Sequence, residues 1–130
     1  VLELLRKACY DGGNLRHVRE IPLDPDYPPI MAVELQFERL TVAFSAMADD
    51  DTIAVTSGSH PGPSRQIISQ LWAYCIGKPL QWAWIMTNQQ GYPDGVRLEF
   101  LDPDNQKSVI IELVAGASSL CTYLARPTEA

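Results

Sequence analysis

Three consecutive carboxylates, Asp49, Asp50 and Asp51, form the densest acidic cluster in the chain. Adjacent aspartates can offer oxygen ligands to magnesium or calcium. Here, however, DDDT stands between two strand-like runs without the D-x-D-x-D-G spacing and distant Glu of a calcium loop, so turn chemistry is the expectation. Asp102 and Asp104, on either side of Pro103, read the same way. His17 and His60 are the only histidines, and neither has a paired metal-ligand spacing, so no metal and no cofactor is expected. His60 lies in SGSHPGPS near Ser59 and Ser64, which supplies a base and two hydroxyls, but the nucleophile-elbow pattern G-x-S-x-G is absent. Gly58 and Gly62 lack the Lys of a phosphate-binding loop. Asn88, Gln89, Gln90 and Tyr92, with Asp94 just beyond, carry more donors and acceptors than a tight turn needs. Either they satisfy backbone groups or they recognise a partner.

The elements that must position these groups are mostly strands. Val33, Leu35 and Phe37 alternate with Glu34, Gln36 and Glu38, and Leu40 to Ala46 alternates again, so a hairpin with one wet face is expected, followed by a strand over Thr52 to Thr56. The segments Leu80 to Thr87, Gly95 to Leu101, Lys107 to Val114 and Leu120 to Leu124 continue the pattern, with DPDNQ as one of the connecting turns. Trp82, Trp84 and Met86 share one parity, which predicts that they point into the core. Leu2 to Cys9, stopped by Gly12-Gly13, predicts a short N-terminal helix, and the proline-dense DPDYPP is a connector. Ile67, Ile68, Leu71, Trp72 and Cys75 make an apolar stripe at helical spacing, with Ser64 as N-cap and Gly77 as stop. The expected fold is a single α+β domain over residues 1–130: an antiparallel, hairpin-rich sheet covered by one main amphipathic helix, plus the short N-terminal helix.

The 130 residues suffice for one core without staples. A formal charge of -6 and a pI near 4.7 argue against nucleic acid as partner and favour a basic one. Three cysteines without C-x-x-C spacing predict reduced thiols and a cytoplasmic location. The opening VLELLRKACYDGG interrupts its apolar run with charge, so neither a signal peptide nor a membrane span is expected there.

The run W-x-W-x-x-TNQQGY-x-DG-x-x-LEF, from Trp82 to Phe100, together with DDDTI at Asp49 to Ile53, resembles an uncharacterised family of small bacterial proteins. That resemblance implies a bacterial source and one domain, and assigns no catalytic residue. In general character the chain is also similar to toxin-immunity proteins. The resulting expectation is a non-enzymatic acidic binding protein, of the immunity type, that blocks a basic toxin domain through Asp49, Asp50, Asp51 and the Asn88 to Asp94 turn. The alternative is a small hydrolase or ligand-binding enzyme built on the His60 loop.

Overall fold

A computed structural model describes residues 1–26, 28–104 and 107–126, with the Arg126 side chain outside the description. The chain opens with α1 (Leu2–Asp11), whose Leu5 and Ala8, three residues apart, are buried together. The Gly12 amide donates to the Ala8 carbonyl at 3.1 Å, and Gly13 turns the chain at φ 81°, where a side chain would meet the Glu38 carboxylate at 2.6 Å.

Eight strands follow among the described residues: β1 (Leu15–Pro22), β2 (Ile30–Phe37), β3 (Thr41–Ala46), β4 (Ile53–Ser57), β5 (Leu80–Thr87), β6 (Pro93–Leu101), β7 (Ser108–Gly116) and β8 (Ser119–Arg126). All pair antiparallel in the order β4-β3-β2-β8-β7-β6-β5, and β1 adds to β2. The β2–β8 junction rests on the Ile30–Leu120 pair, so the two halves of the sheet can turn toward each other there. β4 packs on β6, and β3 on β7 and β8. Between the halves lie Leu35, Phe44, Leu98, Ile111 and Leu113, and the rings of Phe37 and Phe100 stack with centroids 6.4 Å apart. Burial of each such side chain contributes about 1.5–3 kcal/mol.

Three expectations are corrected. No main amphipathic helix covers the sheet, so the α+β architecture gives way to a mostly antiparallel β structure with one short N-terminal helix. Residues 64–77 instead form a loop with a short 3-10 helix at Gln70–Tyr74. The reason is tertiary: the Arg65 amide donates to the Glu20 carbonyl at 2.6 Å and the Ser69 amide to the Glu20 carboxylate at 3.2 Å. Ser69 is extended, at ψ 135°, and its amide is thereby taken from an intrahelical ladder. Trp72 and Cys75 of the expected stripe are buried, but Ile67 is 83% exposed.

Second, the hairpin face expected to be wet is covered at Glu34, which is fully buried, and Leu15–Pro22, for which no strand was expected, pairs along β2 with Arg19 opposite Glu34. Third, Trp82, Trp84 and Met86 do not face the core. A bulge between Leu80 and Trp82 shifts the register, so Leu80 points inward while Ala83 and Ile85 take the inner positions beyond it. An offset of one residue sends each following side chain to the opposite face.

Candidate functional site

The bulge places an aromatic grid on the outer face of the β5–β8 half. Register defines three cross-strand rows: Trp82, Glu99, Ile110 and Arg126; Trp84, Arg97, Glu112 and Tyr123; and Met86, Gly95, Val114 and Cys121. Trp82 is 55% exposed and Trp84 42%, and Tyr123 is also exposed. The Arg97 guanidinium carbon lies 5.4 Å from the Trp84 ring centroid, and its Nε is 3.7 Å from the Glu112 carboxylate. Tryptophan favours a cation over its face because the ring quadrupole is negative there. Met86 lies across Gly95, where an added Cβ would meet the Met86 methyl at 2.6 Å. Beside Trp82 runs a groove of about 420 Å³ against α1, walled by Leu2, Arg6, Cys9 and Tyr10. β5 is the last strand of the sheet, so the grid ends at an edge. On β8, where the Trp84 row ends, the Tyr123 hydroxyl is pushed above its ordinary range by hydrogen bonding to Cys121.

The Asn88–Tyr92 turn joins β5 to β6 at the end of this face. Asn88 builds it: its side-chain oxygen accepts from the Gln90 amide at 2.9 Å and the Tyr92 amide at 3.2 Å, while its side-chain amide donates to Asp94 at 3.2 Å. Gly91 closes the turn at φ 87°. Asn88 and Asp94 are thus engaged within the turn, whereas Gln89, Gln90 and Tyr92 are exposed.

The aspartates occupy the turn between β3 and β4. Asp50 accepts from the Thr52 hydroxyl at 2.6 Å and the Thr52 amide at 3.1 Å, and these two bonds hold its carboxyl below the ordinary range. Asp51 adopts a left-handed conformation at φ 55°, and Asp49 is exposed. Among the described residues no hydrogen bond or ion pair joins this turn to the Asn88–Tyr92 turn. Asp102 likewise caps its own hairpin, accepting from the Asp104 amide at 3.0 Å; Asn105 and Gln106 of the DPDNQ turn lie outside the described residues. No group of three or more His, Cys, Asp or Glu is placed to hold a metal among the described residues.

His60 is held by the loop rather than aimed at a serine. Its Nδ1 accepts from the Gly62 amide at 3.1 Å, and its own amide donates to Glu34 at 2.8 Å. Glu34, fully buried, is the centre of a network that sequence reading missed. It also accepts from Arg19 at 2.6 Å and from the Gln36 side chain, while Arg19 donates onward to the Gly62 carbonyl at 2.8 Å. Burial pushes the Glu34 carboxyl up, but the bonds from Gln36, His60 and Arg19 outweigh it, and the net shift is down. On the other face of β1, Glu20 is also buried, 3.7 Å from Arg65, and Arg65 donates to the Pro28 carbonyl. Two buried acids thus strap the loop between β4 and the 3-10 helix. Between this loop and the proline connector lies an open cleft of about 620 Å³ bordered by Pro25, Pro28, Pro63 and Ile67. The charged pattern of LRHVREIP, with Arg19 opposite Glu34, was the signal available for this network.

No described helix is long and apolar enough to cross a membrane. No curated protein and no solved structure matches the chain. A family model does match, over residues 5–129, nearly the whole of the sheet and its straps, and the chain therefore belongs to the family of unknown function DUF6334.

Proposed function

We propose that this protein is a non-enzymatic binding protein whose partner docks on the outer face of β5–β8, and that it acts as an immunity-type inhibitor blocking a basic bacterial toxin enzyme in the cytoplasm. The observation that carries the reading is the pair Trp82 and Trp84, large rings left half in water on one face of an edge strand. Tryptophan, tyrosine and arginine dominate binding hot spots because they bury much area at small conformational cost. Tyr123 extends the same exposed aromatic surface, and Gln89, Gln90 and Tyr92 in the adjoining turn add exposed polar and aromatic groups. The overall charge of -6, with Asp49 and Asp51 exposed, would steer a cationic partner inward. Three free thiols, on Cys9, Cys75 and Cys121, suit a reducing compartment. The hydrolase alternative draws no support from His60, whose ring nitrogen is engaged by the Gly62 amide.

The test is capture of partners from a bacterial lysate by the tagged protein, run beside W82A and W84A. A single basic protein recovered in stoichiometric amount and lost with either substitution supports the reading. Recovery that is indifferent to both substitutions contradicts it.

A further inference from the structure

β5 ends the sheet, and among the described residues its one strand partner is β6. The Asn88 amide donates to the Tyr92 carbonyl at 3.0 Å, across the hairpin. Backbone groups alternate along a strand, so Met86 and Trp84 also turn theirs toward β6, whereas Ile85 and Thr87 turn theirs away from the sheet. The irregularity between Met86 and Thr87 leaves Asp94 of β6 as the extra residue, so β5 itself keeps the alternation. Among the described residues no hydrogen bond reaches the outward N–H and C=O groups of Ile85 and Thr87. The groove beside α1 runs along Gln81 to Ala83, short of these two residues. Natural sheet edges are guarded by charge, proline or a bulge in the edge strand. From Trp82 to Thr87 this edge has none of the three, and Pro79 to Pro93 is the longest run of the chain without a charged residue.

We propose that a second copy of this chain covers the edge, β5 pairing antiparallel with β5 of the copy about a two-fold axis at Met86. Ile85 then stands opposite Thr87 of the copy, and Thr87 opposite its Ile85. Met86 is the midpoint of the two outward residues, so this axis matches every outward N–H and C=O on both and keeps the copy short of α1. At the axis Met86 meets Met86 of the copy in a pair that is not itself hydrogen-bonded, where side chains come closest. Trp84 lies diagonal to it, within reach of the thioether. Charge selects a second copy for this edge and against the rest of the surface. Two chains of formal charge -6 repel, but here no like charges face each other, and the row is self-complementary, as an isologous interface requires. The outer face stays open in the dimer. The two aromatic grids come to lie on one continuous sheet, and the proposal stands independently of any other partner on that face.

Sedimentation equilibrium of the full chain over rising concentration tests it. The expected result is a monomer–dimer equilibrium. Thr87→Pro removes an outward N–H and no bond to β6, and Met86→Lys sets two ammonium groups against each other at the axis, so each should weaken the dimer by about tenfold or more. Far-ultraviolet circular dichroism checks that both variants fold. M86C in a C121S background should close a disulfide between copies on oxidation, because the Cα atoms of such a pair stand about 4.5 Å apart, inside the disulfide range. D104C in the same background, in the β6–β7 hairpin, should not. A chain that stays monomeric throughout, a dimer indifferent to both substitutions, or equal crosslinking at positions 86 and 104 overturns the proposal. So does a monomer whose Ile85 and Thr87 amides gain protection from hydrogen exchange only when a different protein is bound, an outcome that assigns the edge to that protein.

Discussion

Replacing Glu34 by Gln removes one charge from the interior and changes almost no volume. The carboxylate takes donors from Arg19, the His60 amide and Gln36, and glutamine retains only one accepting oxygen. At least one charged hydrogen bond is lost, and an amide N–H₂ is turned toward a donor; bonds to charged groups are each worth about 1.5–3 kcal/mol. Breaking a fully buried pair costs about 3–5 kcal/mol. The cost here is smaller, because the Arg19 side chain is 23% exposed and keeps the Gly62 carbonyl. We expect Glu34→Gln to destabilise by about 2–4 kcal/mol, read by urea denaturation at pH 7 with an unchanged slope. The effect should also depend on pH. The folded Glu34 carboxyl lies below its ordinary 4.5, so the unfolded chain binds the proton more readily, and the stabilisation is complete above that value and lost as pH falls through the folded one. The gap between the two proteins should hold from neutrality to about pH 5 and close in stronger acid. Asp50 and Glu38 titrate in both proteins and cancel from the difference. A gap under about 1 kcal/mol at pH 7, or one that does not narrow in acid, refutes the argument.

Other consequences are as direct. Ile111→Ala, at the centre of the core, should cost about 2–5 kcal/mol in the same denaturation experiment. Asn88→Ala removes two amide acceptor bonds and the contact to Asp94, and should cost about 1–2 kcal/mol while leaving the far-ultraviolet spectrum unchanged. Burial pushes the Cys75 thiol up to about 12, so a thiol reagent at pH 8 should label exposed Cys121 in the native protein and Cys75 only after unfolding.

Strands carried by simple alternation were legible in the sequence: β2 to β8 overlap the segments that period two marked, with no proline inside any of them beyond the first residue of β6. What was not legible depended on contacts distant in sequence. The stripe from Ile67 to Cys75 has helical spacing, but Glu20, some fifty positions earlier, captures the Arg65 and Ser69 amides. β1 carries charges at Arg16, Arg19 and Glu20 that disguise a strand; two of them are accounted for by buried or half-buried partners on β2 and the loop. Parity made Trp82 and Trp84 look like core, because a bulge leaves no mark in composition. The turn at Asn88 was recognised, though its main acceptor proved to be its own architect. The two turns named as partner-binding are built separately, and the tryptophans, which could be read as a hot-spot surface or as core, were assigned to the core on their parity.

The central claim is that the outer face of β5–β8 is where a partner sits. A photo-crosslinking residue placed at position 84 in the living cell, compared with one at position 104 in the β6–β7 hairpin, tests it most directly. The account predicts, beside any crosslink between two copies of the chain, one discrete species from position 84, identified as a basic protein, and none from position 104. Crosslinking equal at the two positions, or absent at 84 while a partner still co-purifies, would contradict it.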